Sequence, residues 1–386
     1  MNIYYWCPFL SKVATIQAVI NSAVSLKKYS KNKISPHIIN AVGEWYQFED
    51  EIEKKNINLI NFTKTKKLYE MLPRYSYLKS RFSYLIICFF SFFKLFKFLK
   101  TRNEKDIFLI HLISSLPLLM ILFFNFKCKF ILRISGYPKL NFFRKLLWKL
   151  CEKKLSVVLC PTKDTKKNLI FNKIFSNDIF HVLYDPVLKI KEFNNLRKEK
   201  VSEKFHDKEF IINIGRLTKQ KNQFFLLKGF NEIQKMYPNL NLIILGDGEL
   251  KKDLVKMSKD LNISEKIIFL GHVENVFKYL YNAKLFVLTS KWEDPGFVLL
   301  EAAFSRTLIL SANCPNGPIE ILQNNSGGYL YETNNLKDFI QKFKKSFLDN
   351  QNYKLEKKLN VLRYSKNFTA FRHFQNFKSI LNRFNQ

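Results

Sequence analysis

Short apolar runs alternate along the chain with longer stretches in which apolar residues recur every three or four positions. The runs predict buried strands and the periodic stretches predict helices, and this alternation is typical of parallel α/β units. The strand-like runs of the first half are "NIYYW", "SPHIINAV", "DIFLIHLI", "KFILRISG" and "SVVLCPT". Those of the second half are "EFIINIGRL", "LNLIILGDGE", "KIIFLGHV", "LFVLTS" and "TLILSA". The pattern predicts two doubly wound domains.

The length of 386 residues is too great for one core and suits two domains. A charged stretch with few core residues, Lys189 to Lys208, is a candidate linker. We therefore predict an N-terminal domain over 1–188 and a second domain over 189–365. The segment 366–386 contains the amphipathic "FTAFRHFQNFKSILNRF", which predicts a C-terminal helix.

One apolar stretch, Ile107 to Phe126, contains no Lys, Arg, Asp or Glu and is long enough to span a bilayer. His111 and Pro117 interrupt it, and Ser114 with Ser115 offers a helix N-cap in its middle. These residues favour a buried strand, a helix and a further strand over a membrane span. The first residues lack the pattern of a signal peptide, so we expect a cytoplasmic protein.

The net charge of +32 predicts an anionic partner, although a biased base composition explains part of it. Half of this charge lies between Asn61 and Cys160, where 20 Lys and Arg residues stand against 4 Asp and Glu residues. Within that region the Phe-rich stretch Phe82 to Lys100 is amphipathic and punctuated by lysines. We expect it to lie on an anionic membrane surface, on the inner face of the cytoplasmic membrane. The alternative is a solvated, Lys-rich face over an ordinary buried helix.

Candidate chemistry follows the carboxyl ends of the predicted strands, where open α/β sheets bind their ligands. In "INIGRLTKQKN", Gly215 permits a sharp turn, after which Arg216 and Lys221 can bind a diphosphate. The bend in "FLGHVEN", which includes Val273, can contact a nucleotide base through its backbone.

The segment "KWEDPGFVLLEAAF" carries two carboxylates in an otherwise apolar setting. Glu293 falls in the loop after a strand, and Gly296 and Phe297 begin a helix whose first amides have no helical partner. Glu301 follows Phe297 by four residues, about 6 Å along a helix axis. Both carboxylates can therefore accept hydrogen bonds from one elongated ligand, such as the vicinal hydroxyls of a ribose or hexose.

These motifs together resemble the family 4 retaining glycosyltransferases. "KWEDPGFVLLEAAF" is similar to the E-x7-E motif of that family, and "NIGRLTKQKN" is similar to its G-R-L-x-x-x-K-N segment. "LIILGDGEL", "IIFLGHVENV" and "SANCPNGPIEIL" follow in the family's order, so that the resemblance covers about Phe210 to Glu332. "LIHLISSLPLL" and "LRISGYPKLNFFRKLLWK" are similar to transferases that build bacterial surface polysaccharides, such as lipopolysaccharide, O-antigen and capsule.

The resemblance implies a GT-B fold, in which two Rossmann-like domains face a cleft and the C-terminal helix returns to the N-terminal domain. It implies that Arg216 and Lys221 stabilise the departing nucleotide diphosphate and that Glu301 binds the ribose. Gly215 and Val273 would complete the donor-binding loops.

The same resemblance assigns the donor sugar to another group of residues. Glu293 would hold its hydroxyls, beside the backbone amides of Gly296, Phe297 and Val298. His111, at a strand end in the first half, would reach the sugar across the cleft, unless it is an ordinary core histidine.

Two departures from the family pattern stand out. Where the family has a Gly-Gly loop after its first strand, this chain has "CPFLSKVATIQ", in which only Lys12 is a candidate phosphate contact. Where the family commonly has E-G-F-G, this chain has "EDPGF", which places Pro295 at or just before the helix start. Proline is compatible with a first helical turn.

No metal site and no cofactor are expected. The six histidines and six cysteines show no metal-ligand spacing, and no D-x-D motif is present. The resulting prediction is a metal-independent retaining glycosyltransferase using a UDP- or GDP-linked sugar and a glycan or lipid-linked acceptor. Two alternatives are a nucleotide-sugar epimerase of the same fold and a basic nucleic-acid-binding protein. We expect no nucleic-acid partner, because the Phe residues follow apolar strand and helix patterns.

Overall fold

The computed structural model describes residues 1–386 apart from 11–13, 74–76, 137, 139, 203–204, 206–207 and 383–386. The chain divides into two compact units. The first comprises Met1–Val187 together with Ala370–Gln386, and the second comprises Leu188–Thr369.

The first unit is built on a seven-stranded sheet, counted over its described residues, with the strand order β3-β2-β1-β4-β5-β6-β7. All neighbouring strands are parallel. The strands are β1 (Asn2–Trp6), β2 (Ser35–Asn40), β3 (Asn58–Asn61), β4 (Ile107–Ile110), β5 (Lys129–Arg133), β6 (Val157–Cys160) and β7 (Phe180–Val182). The helices that connect them are α1 (Ala14–Tyr29), α2 (Glu49–Lys54), α3 (Lys67–Met71), α4 (Tyr77–Lys100), α5 (Ser115–Phe123), α6 (Phe142–Cys151) and α7 (Lys163–Phe171).

The second unit contains a six-stranded parallel sheet among its described residues, with the order β10-β9-β8-β11-β12-β13. Its strands are β8 (Phe210–Ile214), β9 (Asn241–Leu245), β10 (Ile267–Gly271), β11 (Leu285–Leu288), β12 (Ile309–Ala312) and β13 (Tyr329–Tyr331). Its helices are α8 (Ile190–Leu196), α9 (Gln223–Met236), α10 (Lys251–Asp260), α11 (Phe277–Asn282), α12 (Phe297–Phe304), α13 (Pro318–Ile321), α14 (Leu336–Leu348) and α15 (Gln351–Ser365).

Each sheet has a point at which the strand order reverses. In the first sheet this switch point lies between β1 and β4, and in the second it lies between β8 and β11. Loops on the two sides of such a point leave in opposite directions and open a crevice at the carboxyl ends of the strands. Each loop with candidate chemistry follows a strand at a switch point or a strand no more than two positions from one in the sheet.

The C-terminal helix α16 (Ala370–Asn382) belongs to the first unit, which confirms the predicted return to the N-terminal domain. It packs on α1, where Nε2 of His373 is hydrogen-bonded to Oγ of Ser22 at 2.8 Å. Nδ1 of His373 lies 2.7 Å from the carbonyl oxygen of Tyr184 and must donate to it, so Nε2 accepts from Ser22. Phe377, one helical turn further on, is fully buried in the core of the first unit.

The stretch from Ile107 to Phe126 forms β4 and α5, followed by β5, as the strand–helix–strand prediction stated. Among the described residues, one helix is apolar and long enough to cross a membrane, and it is α4, over Ser80–Lys100. Only 28% of that window is buried inside the protein.

The predicted linker is partly helical. Lys189 to Lys208 includes α8, whose Phe193 packs against Phe277 of α11 with ring centroids 4.1 Å apart. Phe193 also meets Phe304 of α12 edge-on. Phe205 is a second aromatic anchor of this stretch and packs near Phe210 and Tyr279. The charged composition of the stretch did not reveal either contact.

Candidate functional site

The site of the second unit is assembled from loops at the carboxyl edge of its sheet. The loop after β8 carries Gly215, Arg216 and Lys221, and it lies against the loop after β9. A Cβ at Gly246 would stand 2.0 Å from the carbonyl oxygen of Gly215, so only glycine lets these loops approach. The amide of Leu217 completes the contact by donating to the carbonyl of Asp247 at 2.9 Å.

A buried ion pair lies at the centre of the site. Nζ of Lys221 is 2.6 Å from Oε1 of Glu293, and Oγ of Ser290 donates to the same oxygen at 2.5 Å. Glu293 is only 3% exposed. The structure thus brings together two residues 72 positions apart in the sequence, one from each side of the switch point.

The backbone around Glu293 is fixed by a third loop, which follows β12. The amide of Glu293 donates to the carbonyl of Pro315 at 3.1 Å, and the side-chain amide of Asn316 donates to the carbonyl of Glu293 at 3.1 Å. A Cβ at Gly317 would lie 1.9 Å from the carbonyl oxygen of Pro295. The Glu293 carboxylate is therefore presented from a backbone that is held on two sides.

Helix α12 begins where the sequence predicted. Pro295 precedes the N-cap residue Gly296, whose φ of +88° is readily adopted by glycine. The helix buries one side in the core and leaves Phe297, Val298 and Glu301 on a half-buried stripe. Glu301 lies three residues after Val298 and four after Phe297, so the three side chains lie on one side of the helix.

Burial raises the pKa of Glu301 to about 7, and the nearby charge of Lys221 opposes this increase. Lys221 is therefore close enough to influence both carboxylates. Arg216 is exposed in the same loop. The Lys221 side chain also packs against Gly215, where an added Cβ would lie 3.3 Å from its Cδ and Cε. One ammonium group and two carboxylates thus lie close together near the start of α12.

The bend that contains Val273 follows β10, at the edge of the sheet. Gly271 adopts a φ of +71°, and its carbonyl accepts a hydrogen bond from Gly246 at 2.7 Å. Val273 is half-buried beyond this turn. The bend is thus tied to the loops described above through Gly246.

His111 belongs to the first unit and follows β4 at the switch point of that sheet. Its amide donates to the carbonyl of Trp6 at 2.9 Å, while Nδ1 is buried with no partner among the described residues. It lines a cavity of about 20 Å³ with Arg133, Asp185 and His373. Burial, followed by the charge of Arg133, holds the pKa of His111 well below its usual range, so the ring is neutral.

Sequence reasoning missed several groups that shape these sites. Ser290 and Asn316 position Glu293, and Gln223 donates to the carbonyl of Arg216 at 3.1 Å. The carboxylate of Glu44, which is fully buried in the first unit, accepts hydrogen bonds from the backbone amides of Ala41 and Val42. Only Ser290 had a signal, since it is a polar residue at a strand end beside a candidate carboxylate.

Lys12, the only candidate phosphate contact in the loop after β1, lies outside the described residues. Over the described part of the chain, no group of three or more His, Cys, Asp or Glu side chains could hold a metal ion.

Comparison with known proteins places this geometry in a family. Residues 194–365 match the family described as "Glycosyl transferases group 1", and they contain the Lys221, Glu293 and Glu301 cluster. Most of the second unit is thus similar to this family. The match also covers the loops of Gly215 and Val273, so every candidate donor-site residue of the second unit lies inside the matched range.

Two curated relatives are similar to this chain over part of their length. An uncharacterized glycosyltransferase from Methanocaldococcus jannaschii is 34% identical over 205 residues, which is 50% of this chain and 50% of the relative. The N-acetylgalactosamine-N,N'-diacetylbacillosaminyl-diphospho-undecaprenol 4-alpha-N-acetylgalactosaminyltransferase of Campylobacter jejuni is 27% identical over 218 residues, or 56% of this chain and 58% of the relative. This chain therefore spans about half the length of the curated relatives it matches.

A solved structure is similar over nearly the whole chain. The crystal structure of HepE from Anabaena in complex with UDP and glucose superposes with a TM-score of 0.70 and 16% sequence identity, and covers 99% of each chain. A likeness at this identity concerns the fold. It confirms the prediction of an α/β protein with the GT-B fold.

Proposed function

We propose that this protein is a retaining, metal-independent glycosyltransferase that moves a sugar from a UDP- or GDP-linked donor to a glycan or lipid-linked acceptor. The observation that carries the proposal is the cluster of Lys221, Glu293 and Glu301 at the switch point of a group 1 domain. The cations on the loop after β8, together with the hydroxyl acceptors in the loop after β11 and in α12, match the two ends of a nucleotide sugar.

The cations act on the leaving group. Arg216 and Lys221 lie on the loop after β8, where a guanidinium fork and an ammonium can bind the oxygens of a diphosphate. Negative charge grows on that diphosphate as the glycosidic bond breaks. Fixed positive charges lower the energy of this transition state, a role that a metal ion fills in other enzymes.

The carboxylates act on hydroxyl groups. Glu293 accepts hydrogen bonds from the donor sugar, close to the amides of Gly296, Phe297 and Val298 at the start of α12. Glu301, one turn further along the half-buried stripe of α12, accepts hydrogen bonds from the two hydroxyls of the ribose.

The names of two similar proteins support the proposed substrate classes. The Campylobacter jejuni relative is named for a diphospho-undecaprenol acceptor, and HepE was crystallised with UDP and glucose. We extend both classes to this chain: a uridine or guanosine diphosphate sugar as donor and a lipid-linked or free glycan as acceptor, in the synthesis of a surface polysaccharide.

The proposal is tested by assaying transfer from a panel of UDP- and GDP-sugars to a lipid-linked acceptor in the presence of EDTA. We expect transfer with retention of the anomeric configuration and no response to Mg²⁺ or Mn²⁺. Activity that disappears in EDTA and returns with a divalent cation would contradict metal independence. Interconversion of the donor sugar without transfer would point to an epimerase instead.

We further propose that the first unit attaches to an anionic membrane surface. Helices α4, α5 and α6 pack side by side and expose large apolar side chains. These residues, which we call the aromatic face, are Phe82, Leu85, Phe89 and Phe93 of α4, Leu119 and Phe123 of α5, and Phe142, Phe143, Leu146 and Leu150 of α6. Lys97 of α4 and Lys149 of α6 are exposed on the same helices, so apolar groups can enter the headgroup region while ammonium groups meet lipid phosphates.

The buried side of α4 favours attachment over spanning. Ile87, Leu95 and Leu99 are fully buried in the core of the first unit, and Ser83 and Ser91 are buried beside them. A helix that crossed a bilayer would have to remove these side chains from the core. The aromatic face on the other side of α4 remains available to lipid without any rearrangement.

Co-sedimentation with vesicles tests the attachment. We expect binding that requires anionic lipid and weakens as salt rises, because each basic residue near the surface contributes only about 1 kcal/mol and is screened within about 8 Å. The double variant Phe89→Ser with Phe93→Ser should bind much less. The matched control is Phe171→Ser, which changes a phenylalanine that is 86% exposed on α7. Extraction from cell membranes only by detergent would show a spanning α4.

A further inference from the structure

The Lys221 ammonium group has a protein partner in the same place where a diphosphate would bind. Oε1 of Glu293 accepts from both Lys221 and Ser290, and the carboxylate is almost completely shielded from water. The backbone of Glu293 is held by Pro315 and Asn316. The carboxylate is therefore confined beside Lys221 and cannot move away to make room.

A nucleoside diphosphate that binds Lys221 must share this cation with Glu293. Two anions on one ammonium repel each other, and the repulsion is stronger where water is excluded than in bulk solvent. If the phosphate draws Lys221 away, Glu293 is left as a buried carboxylate with weakened pairing, which also raises the free energy. Either way, Glu293 opposes the binding of the free nucleotide.

A nucleotide sugar meets the same carboxylate differently. Its sugar hydroxyls donate hydrogen bonds to Glu293 and so replace the hydrogen bond that Lys221 gives up when it turns to the phosphate. Hydrogen bonds to a charged group are among the stronger ones. We propose that Glu293 discriminates between the intact donor and the free nucleoside diphosphate that remains after transfer. This inference rests on the proposed function, and its consequence is faster release of the nucleotide product.

Ser290 has a supporting role in this discrimination. It is a neutral donor, fully buried, and it holds the same oxygen that Lys221 contacts. Because its hydrogen bond does not depend on Lys221, it keeps the carboxylate oriented while the ammonium turns towards a phosphate. Ser290 is therefore a positioning residue that does not itself contact the phosphate.

Calorimetric titration of the intact protein with UDP and GDP tests the proposal. Glu293→Gln keeps the shape of the side chain and removes the charge, so the nucleotide that the wild type prefers should bind about tenfold tighter. Glu293→Asp keeps the charge and should bind that nucleotide within about twofold of the wild type. Glu209→Gln is the matched control, since Glu209 pairs with Lys284 in an exposed ion pair at 2.8 Å, away from the site. It should leave the affinity unchanged.

A second measurement compares the transfer activity of the wild type with that of the Glu293 and Ser290 variants. Glu293→Gln should lose most transfer activity and be inhibited by lower concentrations of nucleotide product, whereas Ser290→Ala should lose part of the activity and keep the wild-type nucleotide affinity. Unchanged or weaker nucleotide binding by a folded Glu293→Gln variant would overturn the inference while leaving the glycosyltransferase proposal intact. A wild type that binds neither nucleotide nor any nucleotide sugar would overturn both.

Discussion

Replacing Glu301 by glutamine should make the protein more stable and its nucleotide binding weaker. Burial raises the pKa of this carboxyl group to about 7, from 4.5 for a free glutamate. The folded protein therefore holds the proton more tightly than the unfolded chain does. The contribution of this group to stability is fully present below about pH 4.5 and is lost as the pH rises through 7. The Glu301→Gln variant lacks this pH dependence, because an amide does not titrate in this range.

The size of the effect follows from the pKa. Each pKa unit corresponds to about 1.36 kcal/mol, so a shift of this size represents about 3 kcal/mol for a fully dehydrated carboxylate. Glu301 is only partly buried, and solvent reduces this figure to about 1–2 kcal/mol. For a domain of about 150–250 residues each kcal/mol moves the Tm by about 2–4 °C. We therefore expect Glu301→Gln to raise the Tm by roughly 2–8 °C at pH 8 and by much less at pH 5.

Thermal unfolding at both pH values, with and without UDP, measures the two effects together. The stabilising shift produced by UDP should shrink in Glu301→Gln, because the ribose loses a charged acceptor worth about 1.5–3 kcal/mol. Glu209→Gln, which removes an exposed carboxylate, should change neither quantity. A lower Tm for Glu301→Gln at pH 8, or an equal shift at pH 5 and pH 8, would refute the reasoning.

Three further predictions concern other parts of the molecule. Arg216→Ala should reduce turnover by about 100-fold or more without changing the Tm, because Arg216 is exposed. Lys221→Ala should reduce both turnover and Tm, because it removes the ion-pair partner of Glu293; steady-state kinetics and thermal unfolding distinguish the two variants. Burial lowers the pKa of His373 to about 3, so below about pH 6.5 the unfolded chain takes up a proton that the folded protein does not. The free energy of unfolding should therefore fall by about 1.4 kcal/mol per pH unit on acidification, and denaturant titrations of His373→Gln should show a shallower pH dependence. Gly317→Ala should destabilise the second unit by more than about 2 kcal/mol, because its Cβ would overlap the carbonyl of Pro295. Gly271→Ala, where an added Cβ meets nothing within 4 Å, should cost only about 1 kcal/mol of backbone strain; chemical denaturation of both variants measures the difference.

The central strands were predictable because they are buried on both faces and appear as continuous apolar runs. The three strands that the sequence did not reveal are β3, β7 and β13, and each lies at an edge of its sheet. They contain only three or four residues, and β3 is exposed at both ends. Pairing with one neighbour, and not composition, defines these strands.

The candidate site was only partly visible in the sequence. The spacing of Glu293 and Glu301 could be read directly, because both residues lie within one short segment that contains α12. The contact between Lys221 and Glu293 could not, since it depends on β8 and β11 being adjacent, and the strand order is a property of the fold. The packing of helices is also a property of the fold. The pattern of α4 therefore predicted an amphipathic helix, but it did not show that α5 and α6 extend the exposed apolar surface of that helix.

The return of α16 to the first unit has a consequence for synthesis. Phe374, Phe377 and Ile380 belong to the core that also contains Val19 and Ile20 of α1, although translation adds them more than 350 residues later. During that interval the second unit, a continuous segment, can fold while α1 still exposes the surface that α16 will cover. A nascent chain that stalls before residue 370 therefore presents an apolar surface that chaperones and proteases can recognise. The ribosome thus cannot release a finished first unit without having first synthesised the whole of the second.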